Sequence, residues 1–286
     1  MKKVTKAIIP AAGFGTRFLP ITKAVPKEML PILDRPSIDF VIEECLISGI
    51  TDICIVISRG KEAILNYLDS NIELESALLK ANKQNQVALI NRYKDVNFTF
   101  VLQPEMRGTA KAIELCKSFV GNDPFAVLFP DDVIYNPENP VTAQLIKAYE
   151  TTGTSIVGCQ NLSPEEAIHY GVMQVREQKG KYILIDGFQE KPTIEKLSST
   201  ITSLGRFLLT PEIFDYIDKT KPVKNGEIYL PSSIDLLAKD FPVYAYLFDG
   251  TRYDMGSKFG FLKANIEFAL RDPALREQLI KFIKGN

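Results

Sequence analysis

The segment IIPAAGFGTRFLPITKAVPKEMLPILD, residues 8–34, begins with an apolar run and continues directly into a glycine-rich turn. The apolar run predicts a buried strand, and a glycine-rich turn at the carboxyl end of a strand lets the backbone approach phosphate groups closely. The next ~20 residues follow no regular pattern, although compact folds seldom tolerate so long an irregular segment unless it is functional. The segment carries the cations Arg17, Lys23 and Lys27 and the acid Glu28. Cations held on such a loop predict a site for a polyphosphate.

This loop fits neither of two widespread phosphate-binding motifs. A P-loop requires G-x-x-x-x-G-K-[ST], but both Gly-Lys pairs of the chain are followed by other residues, Glu62 and Tyr182. A dinucleotide fingerprint requires a third glycine where Phe18 stands, and Pro20 and Pro26 prevent the continuous helix that the fingerprint needs. The loop therefore belongs to another class of phosphate site.

The first half of the chain alternates between predicted strands and helices. Apolar runs bounded by turn residues occur at residues 6–12, 52–58, 97–103 and 125–130, with helical patterns between them. The best-defined helix begins near Pro36 and ends before Gly49. This alternation predicts a parallel, doubly wound α/β sheet over the first ~150 residues. A polar helical insertion, residues 73–92, is expected to cover a sheet edge or a partner.

After residue 154 the pattern changes to short strands with few helices between them. These strands are predicted at residues 155–159, 172–175, 182–188, 204–209 and 243–248. They are typical of either a sheet extension or a subdomain that bears a second ligand site. Residues 257–270 and 273–283 predict two amphipathic helices that end the chain. We therefore expect one domain with parts at residues 1–150, 151–255 and 256–286.

Composition excludes several classes of protein. The 286 residues are 45% apolar and 24% charged, as in globular chains, and no apolar segment approaches the ~18 residues of a transmembrane helix. Lys and Arg number 34 against 35 acids, so no broad basic surface is expected for nucleic acid or an anionic membrane. The single histidine, His169, excludes zinc sites that need two histidines. The four cysteines form no C-x-x-C pair and are predicted to be reduced core thiols of a cytosolic protein.

Two short segments place acids where a metal ion could bind. FPDDVIY, residues 129–135, ends an apolar strand with Asp131 and Asp132, at the sheet edge where open α/β folds bind ligands. TRYDMGS, residues 251–257, places Asp254 just before a predicted helix. Mg²⁺ takes few carboxylates and completes its octahedron with water and phosphate oxygens. The alternative is that these acids cap turns or helices, and this alternative is favoured for Asp132.

The similarity of this chain to a known family rests on two segments, P-A-A-G-F-G-T-R-F-L-P and K-A-V-P-K-E-M-L-P-I-L-D-R-P. Further motifs extend this similarity over nearly the whole chain. Together they resemble the bacterial UTP-glucose-1-phosphate uridylyltransferases, among the sugar-1-phosphate nucleotidylyltransferases. Sister thymidylyl- and adenylyltransferases generally have glycine where Ala12 stands. The resemblance implies a Rossmann-like doubly wound mixed sheet with a smaller sugar-binding β extension.

The resemblance also implies which residues bind which part of the substrates. The nucleotide would be bound by Ala11, Ala12, Gly13, Gln103 and Gly108, with the Gln103 amide pairing with O4 and N3-H of uracil. Arg17 and Lys27 would contact the UTP phosphates, while Asp131 and Asp254 would bind Mg²⁺. In GFQEKP, Glu190 would accept hydrogen bonds from glucose and Lys191 would contact its phosphate, with Gly171 and Gly205 beside the hexose. Ordinary turn roles remain the alternative for these last two glycines.

The implied reaction is in-line attack of glucose-1-phosphate on the α-phosphorus of UTP, giving UDP-glucose and pyrophosphate without a covalent intermediate. The chain departs from the family pattern at Ala110 and Lys111, which leaves the contacts of that helix start open. Two rival functions are a nucleotidylyltransferase for another substrate, such as dTTP or galactose-1-phosphate, and a non-catalytic nucleotide-sugar sensor. We expect a cytoplasmic homodimer or homotetramer that binds neither nucleic acid nor membrane.

Overall fold

One large mixed sheet organises the protein, whose computed structural model describes residues 1–285. The strands of this sheet are β1 Lys6–Pro10, β4 Asp52–Ile57, β5 Asn97–Leu102, β6 Phe125–Leu128, β8 Ser155–Asn161, β9 Gly171–Lys179, β10 Tyr182–Glu190, β11 Ile201–Leu209 and β12 Val243–Leu247. Within the described residues they pair in the order β5-β4-β1-β6-β11-β8-β12-β10-β9. Two short ribbons stand apart from it: β2 Pro31–Ile32 with β3 Arg35–Pro36, and β7 Asp132–Tyr135 with β13 Thr251–Asp254.

The first half of the chain forms the parallel part of the sheet. Strands β5, β4, β1 and β6 run parallel, and their connections contain α1 Ser37–Ile47, α2 Glu62–Leu68, α3 Ile72–Lys80, α4 Gln84–Ile90, α5 Thr109–Glu114 and α6 Lys117–Val120. Both faces of β1 are buried, because Ile8 enters one core cluster while Ala7 and Ile9 enter another. Burial on both faces is the reason that parallel strands read as continuous apolar runs. The predicted doubly wound arrangement is confirmed.

The second half extends the same sheet rather than forming a separate subdomain. Strand β11 is antiparallel to both β6 and β8, β12 is parallel to β8, and β10 forms an antiparallel hairpin with β9. The helices of this half are α7 Val141–Thr152, which leads into β8, then α8 Pro164–Ala167, α9 Ile213–Lys219 and α10 Leu230–Asp240. The predicted mixed sheet with a β extension is therefore confirmed.

Two helical regions lie on the outside of the molecule. The insertion forms the helices α3 and α4, neither of which has a buried residue, so its helical prediction is confirmed. The chain ends with α11 Lys258–Arg271 and α12 Pro273–Lys284, and Asp272 between them caps α12. Exposed apolar side chains on these last helices include Phe259, Leu262 and Phe282. None of the helices in residues 1–285 is both long and apolar enough to cross a membrane.

The four cysteines are buried and free, as the sequence predicts for core thiols. Cys54 and Cys116 lie in the same core cluster, and their sulfur atoms are 3.3 Å apart without a disulfide. Burial raises the pKa of the Cys159 thiol, which keeps it protonated and unreactive.

Candidate active site

The irregular segment after β1 folds back on itself through three short 3-10 turns, Thr16–Phe18, Ile21–Lys23 and Lys27–Met29. Gly15 has a φ of 68°, and a Cβ at Gly15 would lie 3.0 Å from the Cβ of Lys27. The Thr22 hydroxyl donates a 2.8 Å hydrogen bond to the Gly15 carbonyl, which closes the loop. The glycine-rich turn therefore lies against the side chain of Lys27, and a larger residue at Gly15 would separate them.

Lys27 forms an ion pair with Asp131, the acid that follows β6. The Lys27 ammonium lies 2.5 Å from Asp131 Oδ2, with the two side chains 21% and 31% exposed. Burial lowers the pKa of Lys27, but the attraction of Asp131 and Glu28 outweighs it and leaves the pKa raised. Burial conversely raises the pKa of Asp131, but Lys27 outweighs it and leaves that pKa lowered. Both groups are therefore charged at neutral pH.

The ribbon of β7 and β13 brings Asp131 and Asp254 together. Asp254 pairs with Asp132 in this ribbon, and the Met255 amide donates a 2.7 Å hydrogen bond to the Asp131 carbonyl. The position that a Cβ on Gly256 would occupy lies 3.0 Å from Asp254 Oδ1 and 3.4 Å from Asp131 Oδ2. Two acids that are far apart in sequence thus present carboxylate oxygens to one small region of space.

These two carboxylates fit a divalent cation of the magnesium type. Mg²⁺ usually takes one or two carboxylates and fills its remaining positions with water and substrate phosphate. Within the described residues, no group of three or more His, Cys, Asp and Glu side chains converges on a point, so no all-protein cage of such side chains is present. The donor set of Asp131 and Asp254 therefore matches a metal that arrives with a phosphate ligand.

Asp132 has a different partner from its neighbour. The Arg252 guanidinium lies 2.5 Å from Asp132 Oδ1, and both side chains are 13% exposed. Arg252 also lies over the Tyr170 ring, 4.6 Å from its centroid, and donates a hydrogen bond to the Tyr170 hydroxyl. Burial raises the pKa of Asp132 in spite of this cation. Asp131 Oδ2 and Asp254 Oδ1 approach the same region beside Gly256, whereas the Asp132 carboxylate lies against Gly205 and Arg252, so the geometry favours Asp131 over Asp132 as the ligand of a metal.

A cleft of about 820 Å³ opens beside these acids. The predicted site residues that line it are Arg17, Asp131, Gly171, Glu190, Lys191, Gly205 and Asp254. Lys27 does not line the cleft itself but forms its ion pair with Asp131, which does. Arg17 is also tied to it, since its guanidinium donates a 3.3 Å hydrogen bond to the Gly256 carbonyl. Phosphate-binding, metal-binding and sugar-binding predictions thus meet in one cleft.

The remaining predicted residues lie elsewhere along the same sheet edge. Ala11 follows β1, and its amide donates to the Val56 carbonyl of β4, while the Ala12 carbonyl accepts from the Ser58 hydroxyl. Gln103 follows β5 and is buried, yet its side chain makes no hydrogen bond to the residues that the structure describes. Because β1, β4 and β5 are neighbours, these positions form a row at the carboxyl edge of the sheet.

Gly108 has a packing requirement of its own. The place that its Cβ would take is filled by the Ile228 backbone, and Gly108 has a φ of 92°. The Ala110 amide donates to the Ile228 carbonyl, which attaches the segment before α10 to the start of α5. Lys111 pairs with Glu114 of the same helix at 2.7 Å. A contact of Gly108 with a base stays a prediction.

Gly171 and Gly205 are likewise required by neighbouring side chains. A Cβ on Gly171 would overlap the Phe188 ring, and a Cβ on Gly205 would overlap the Asp132 carboxylate. Gly205 also has a φ of 69°, which other residues rarely adopt. Both glycines line the cleft, and each leaves room for the neighbouring side chain, Phe188 or Asp132, that occupies the place of its Cβ.

Glu190 and Lys191 lie at the far end of the cleft with a loose mutual contact. Their charged atoms are 3.7 Å apart, and Lys191 is 61% exposed. Lys191 has a φ of 46°, and its amide donates to the Tyr170 carbonyl. A non-glycine residue held in this strained region is a frequent feature of functional sites. Burial raises the pKa of Glu190, and Lys191 only partly offsets it.

Sequence reasoning missed several side chains that line the cleft, among them Tyr170, Tyr229 and Arg252. A signal existed for Arg252, because alternate residues of a strand point to the same face and Arg252 is two positions from Asp254. Tyr170 and Tyr229 lie next to turns, where no periodic pattern fixes the direction of a side chain. His169 lines the cleft as well, and the predicted site gives it no role.

Comparison with known proteins gives a consistent result. Residues 6–269 match the family model described as nucleotidyl transferase. The chain is 46% identical over 286 residues to the UTP-glucose-1-phosphate uridylyltransferase of Staphylococcus haemolyticus, with 99% of each chain covered. It is 43% identical over 284 residues to UTP-glucose-1-phosphate uridylyltransferase 1 of Staphylococcus saprophyticus, again with 99% of each chain covered.

Solved structures agree with these relatives. A UDP-glucose pyrophosphorylase complexed with UDP-glucose has a TM-score of 0.85 and 36% identity, covering 94% of this chain and 100% of that one. The UTP-bound enzyme of Acinetobacter baumannii has a TM-score of 0.90 and 33% identity, covering 98% of both chains.

Proposed function

The chain belongs to the nucleotidyl transferase family, and on that premise we propose which of its residues act on each substrate. It transfers UMP from UTP to glucose-1-phosphate and forms UDP-glucose and pyrophosphate. The observation that supports the assignment of residues is the convergence of Asp131 and Asp254 in a cleft that also contains Arg17 and Lys191.

The reaction needs alignment and charge neutralisation more than proton transfer. A phosphate oxygen of glucose-1-phosphate forms a bond to the α-phosphorus of UTP, and the bond from that phosphorus to the bridging oxygen of pyrophosphate breaks. The nucleophile is already an anion and the leaving group is a stable polyphosphate, so no general base is required. This explains how a chain with one histidine performs the chemistry.

Asp131 and Asp254 would hold Mg²⁺, while Asp132 stays paired with Arg252. Bound there, the ion would supply positive charge to the substrate phosphates. Both carboxylates lie where the β7–β13 ribbon meets the cleft.

Lys27 and Arg17 bind the UTP phosphates. In the free protein the Lys27 ammonium is paired with Asp131, so it is charged and close to the cleft before substrate arrives. Entry of UTP offers this ammonium a second anionic partner. Arg17 is exposed and held only at its guanidinium, which leaves it able to follow the triphosphate.

The two ends of the site bind the base and the sugar. Gln103 pairs with uracil, and Ala11, Ala12, Gly13 and Gly108 provide backbone beside the nucleotide. At the other end Glu190 accepts hydrogen bonds from glucose, Lys191 contacts the incoming phosphate, and the backbone of Gly171 and Gly205 lies beside the hexose.

The assembly and location are part of the same proposal. Exposed apolar side chains on α11 and α12, such as Phe259 and Phe282, favour a homodimer or homotetramer. Reduced core thiols and a net charge of −1 favour a cytoplasmic protein without nucleic acid or membrane partners.

Pyrophosphate release on mixing the protein with UTP, glucose-1-phosphate and Mg²⁺ tests this function. We expect release that depends on all three components, with UDP-glucose as the other product. Parallel reactions with dTTP and with galactose-1-phosphate are expected to be slower. Binding of UDP-glucose without any pyrophosphate release would instead indicate a sensor.

A further inference from the structure

A buried ion pair lies behind the phosphate-binding loop and has no part in the reaction described so far. Glu28 is fully buried, Lys61 is 6% exposed, and the Lys61 ammonium lies 2.5 Å from Glu28 Oε2. The cost of removing two charges from water usually offsets the attraction within such a pair. Stability alone is therefore a weak explanation for it.

The position of the pair connects it to the cleft. Glu28 follows Lys27 in the same 3-10 turn, and Lys61 precedes α2, just beyond the carboxyl end of β4. The charges thus alternate from Lys61 to Glu28, to Lys27 and to Asp131, with direct contact within the first pair and the last. The series begins in the protein interior and ends at the cleft.

Glu28 retains one free acceptor. Its Oε1 is buried and has no hydrogen-bond partner among the residues that the structure describes. Glu28 and Lys27 are adjacent residues of opposite charge in one 3-10 turn, so the Glu28 carboxylate attracts the Lys27 ammonium. Without Lys61, Lys27 would be the cation left beside this buried carboxylate.

We propose that Lys61 is a positioning residue for Lys27: by neutralising Glu28, it leaves the Lys27 ammonium directed at Asp131 and the UTP phosphates. Loss of the Lys61 charge turns Lys27 inward toward Glu28. The inference rests on the proposed contact of Lys27 with UTP.

The K61M variant of the full chain tests this inference by steady-state kinetics with each substrate varied. We expect KM for UTP to rise about tenfold and kcat to fall about tenfold, while KM for glucose-1-phosphate changes less than about twofold. Adding E28Q removes the competing anion, so the double variant E28Q/K61M is expected within about threefold of the wild type in both constants. A purely structural pair predicts a double variant at least as impaired as K61M.

Two matched variants complete the experiment. K6M removes the ion pair of Lys6 with Asp123 at the opposite edge of the sheet and is expected to leave KM for UTP unchanged. An unchanged KM in K61M, or a double variant that stays impaired, overturns the inference. If K61M does not fold, E28Q/K61M decides alone, because it replaces the pair with two neutral side chains.

K27M separates the two proposals. A raised KM for UTP in K27M together with a normal KM for UTP in K61M overturns only the role of Lys61.

Discussion

The part of the cleft proposed to bind the UTP phosphates and the part proposed to bind glucose differ in how closely their charged groups contact each other. At the nucleotide end, charged groups contact each other at 2.5 Å and are largely buried, as in the pairs of Lys27 with Asp131 and of Lys61 with Glu28. At the sugar end, Lys191 is 61% exposed and lies 3.7 Å from Glu190. Lys27 and Asp131 are therefore in contact before substrate arrives, whereas Lys191, like Arg17, is exposed. Pre-organised charges contribute to the transition state without a cost of reorganisation.

The largest effect is expected for D131N, which removes one carboxylate from the nucleotide end. We expect kcat to fall about 10³-fold, because loss of metal charge costs several kcal/mol of barrier. The measurement is pyrophosphate release across a range of Mg²⁺ concentrations. D123N, at the opposite sheet edge, is the matched control, and turnover of D131N close to that of D123N would contradict the metal assignment.

A pair of lysine variants compares the two ends directly. K27M is expected to lower kcat about 100-fold and to raise KM for UTP, since it removes a fixed charge from the reacting phosphates. K191M is expected to raise KM for glucose-1-phosphate about tenfold with a smaller change in kcat, since the exposed Lys191 ammonium stabilises the transition state less. Equal effects of both variants on both substrates would remove the distinction between the ends.

A smaller effect on activity is expected for D132N, although this residue is adjacent to Asp131. Its carboxylate neutralises Arg252, so the variant leaves a mostly buried guanidinium without its partner. We expect the free energy of unfolding to fall by about 3 kcal/mol, with kcat within about tenfold of the wild type. Urea unfolding and kinetics together check this, and a kcat as low as that of D131N would make Asp132 a metal ligand too.

The smallest effect concerns Glu190 and the pH dependence of stability. Because burial raises its pKa in the folded protein, the unfolded chain releases this proton at lower pH than the folded one. This group therefore contributes stability below its ordinary pKa and loses it as pH rises through the raised value. We expect E190Q to show a shallower fall of urea stability above pH ~4.5, the ordinary Glu range, in the absence of substrate. An unchanged slope would mean that Glu190 is solvated like a surface acid.

The sequence predicts most of the fold because the signals there are strong. Strands such as β1 and β4 are buried on both faces, and buried strands appear as apolar runs. Prediction fails where backbone pairing replaces side-chain burial. The strand predicted at residues 172–175 extends to Lys179 as β9, because its exposed polar end pairs with β10.

The site is predictable only in part. Arg17, Lys27, Asp131 and Asp254 stand in short segments with clear chemistry, and the structure brings them together. The partnership of Glu28 with Lys61 leaves no such signal, since two charges 33 positions apart have no periodic relation. Such pairs become visible only once the loop and the turn after β4 are placed side by side.

The ribbon of β7 and β13 has a further consequence for how the chain can change. The chain leaves the ribbon at Tyr135 of β7 and returns to it at Thr251 of β13. Residues 136–250, which include the residues proposed to bind the sugar, thus form an excursion whose two ends are held at a fixed spacing. Because β11 of this excursion also pairs with β6, changes confined to its exposed loops are the ones expected to leave Asp131 and Asp254 in register.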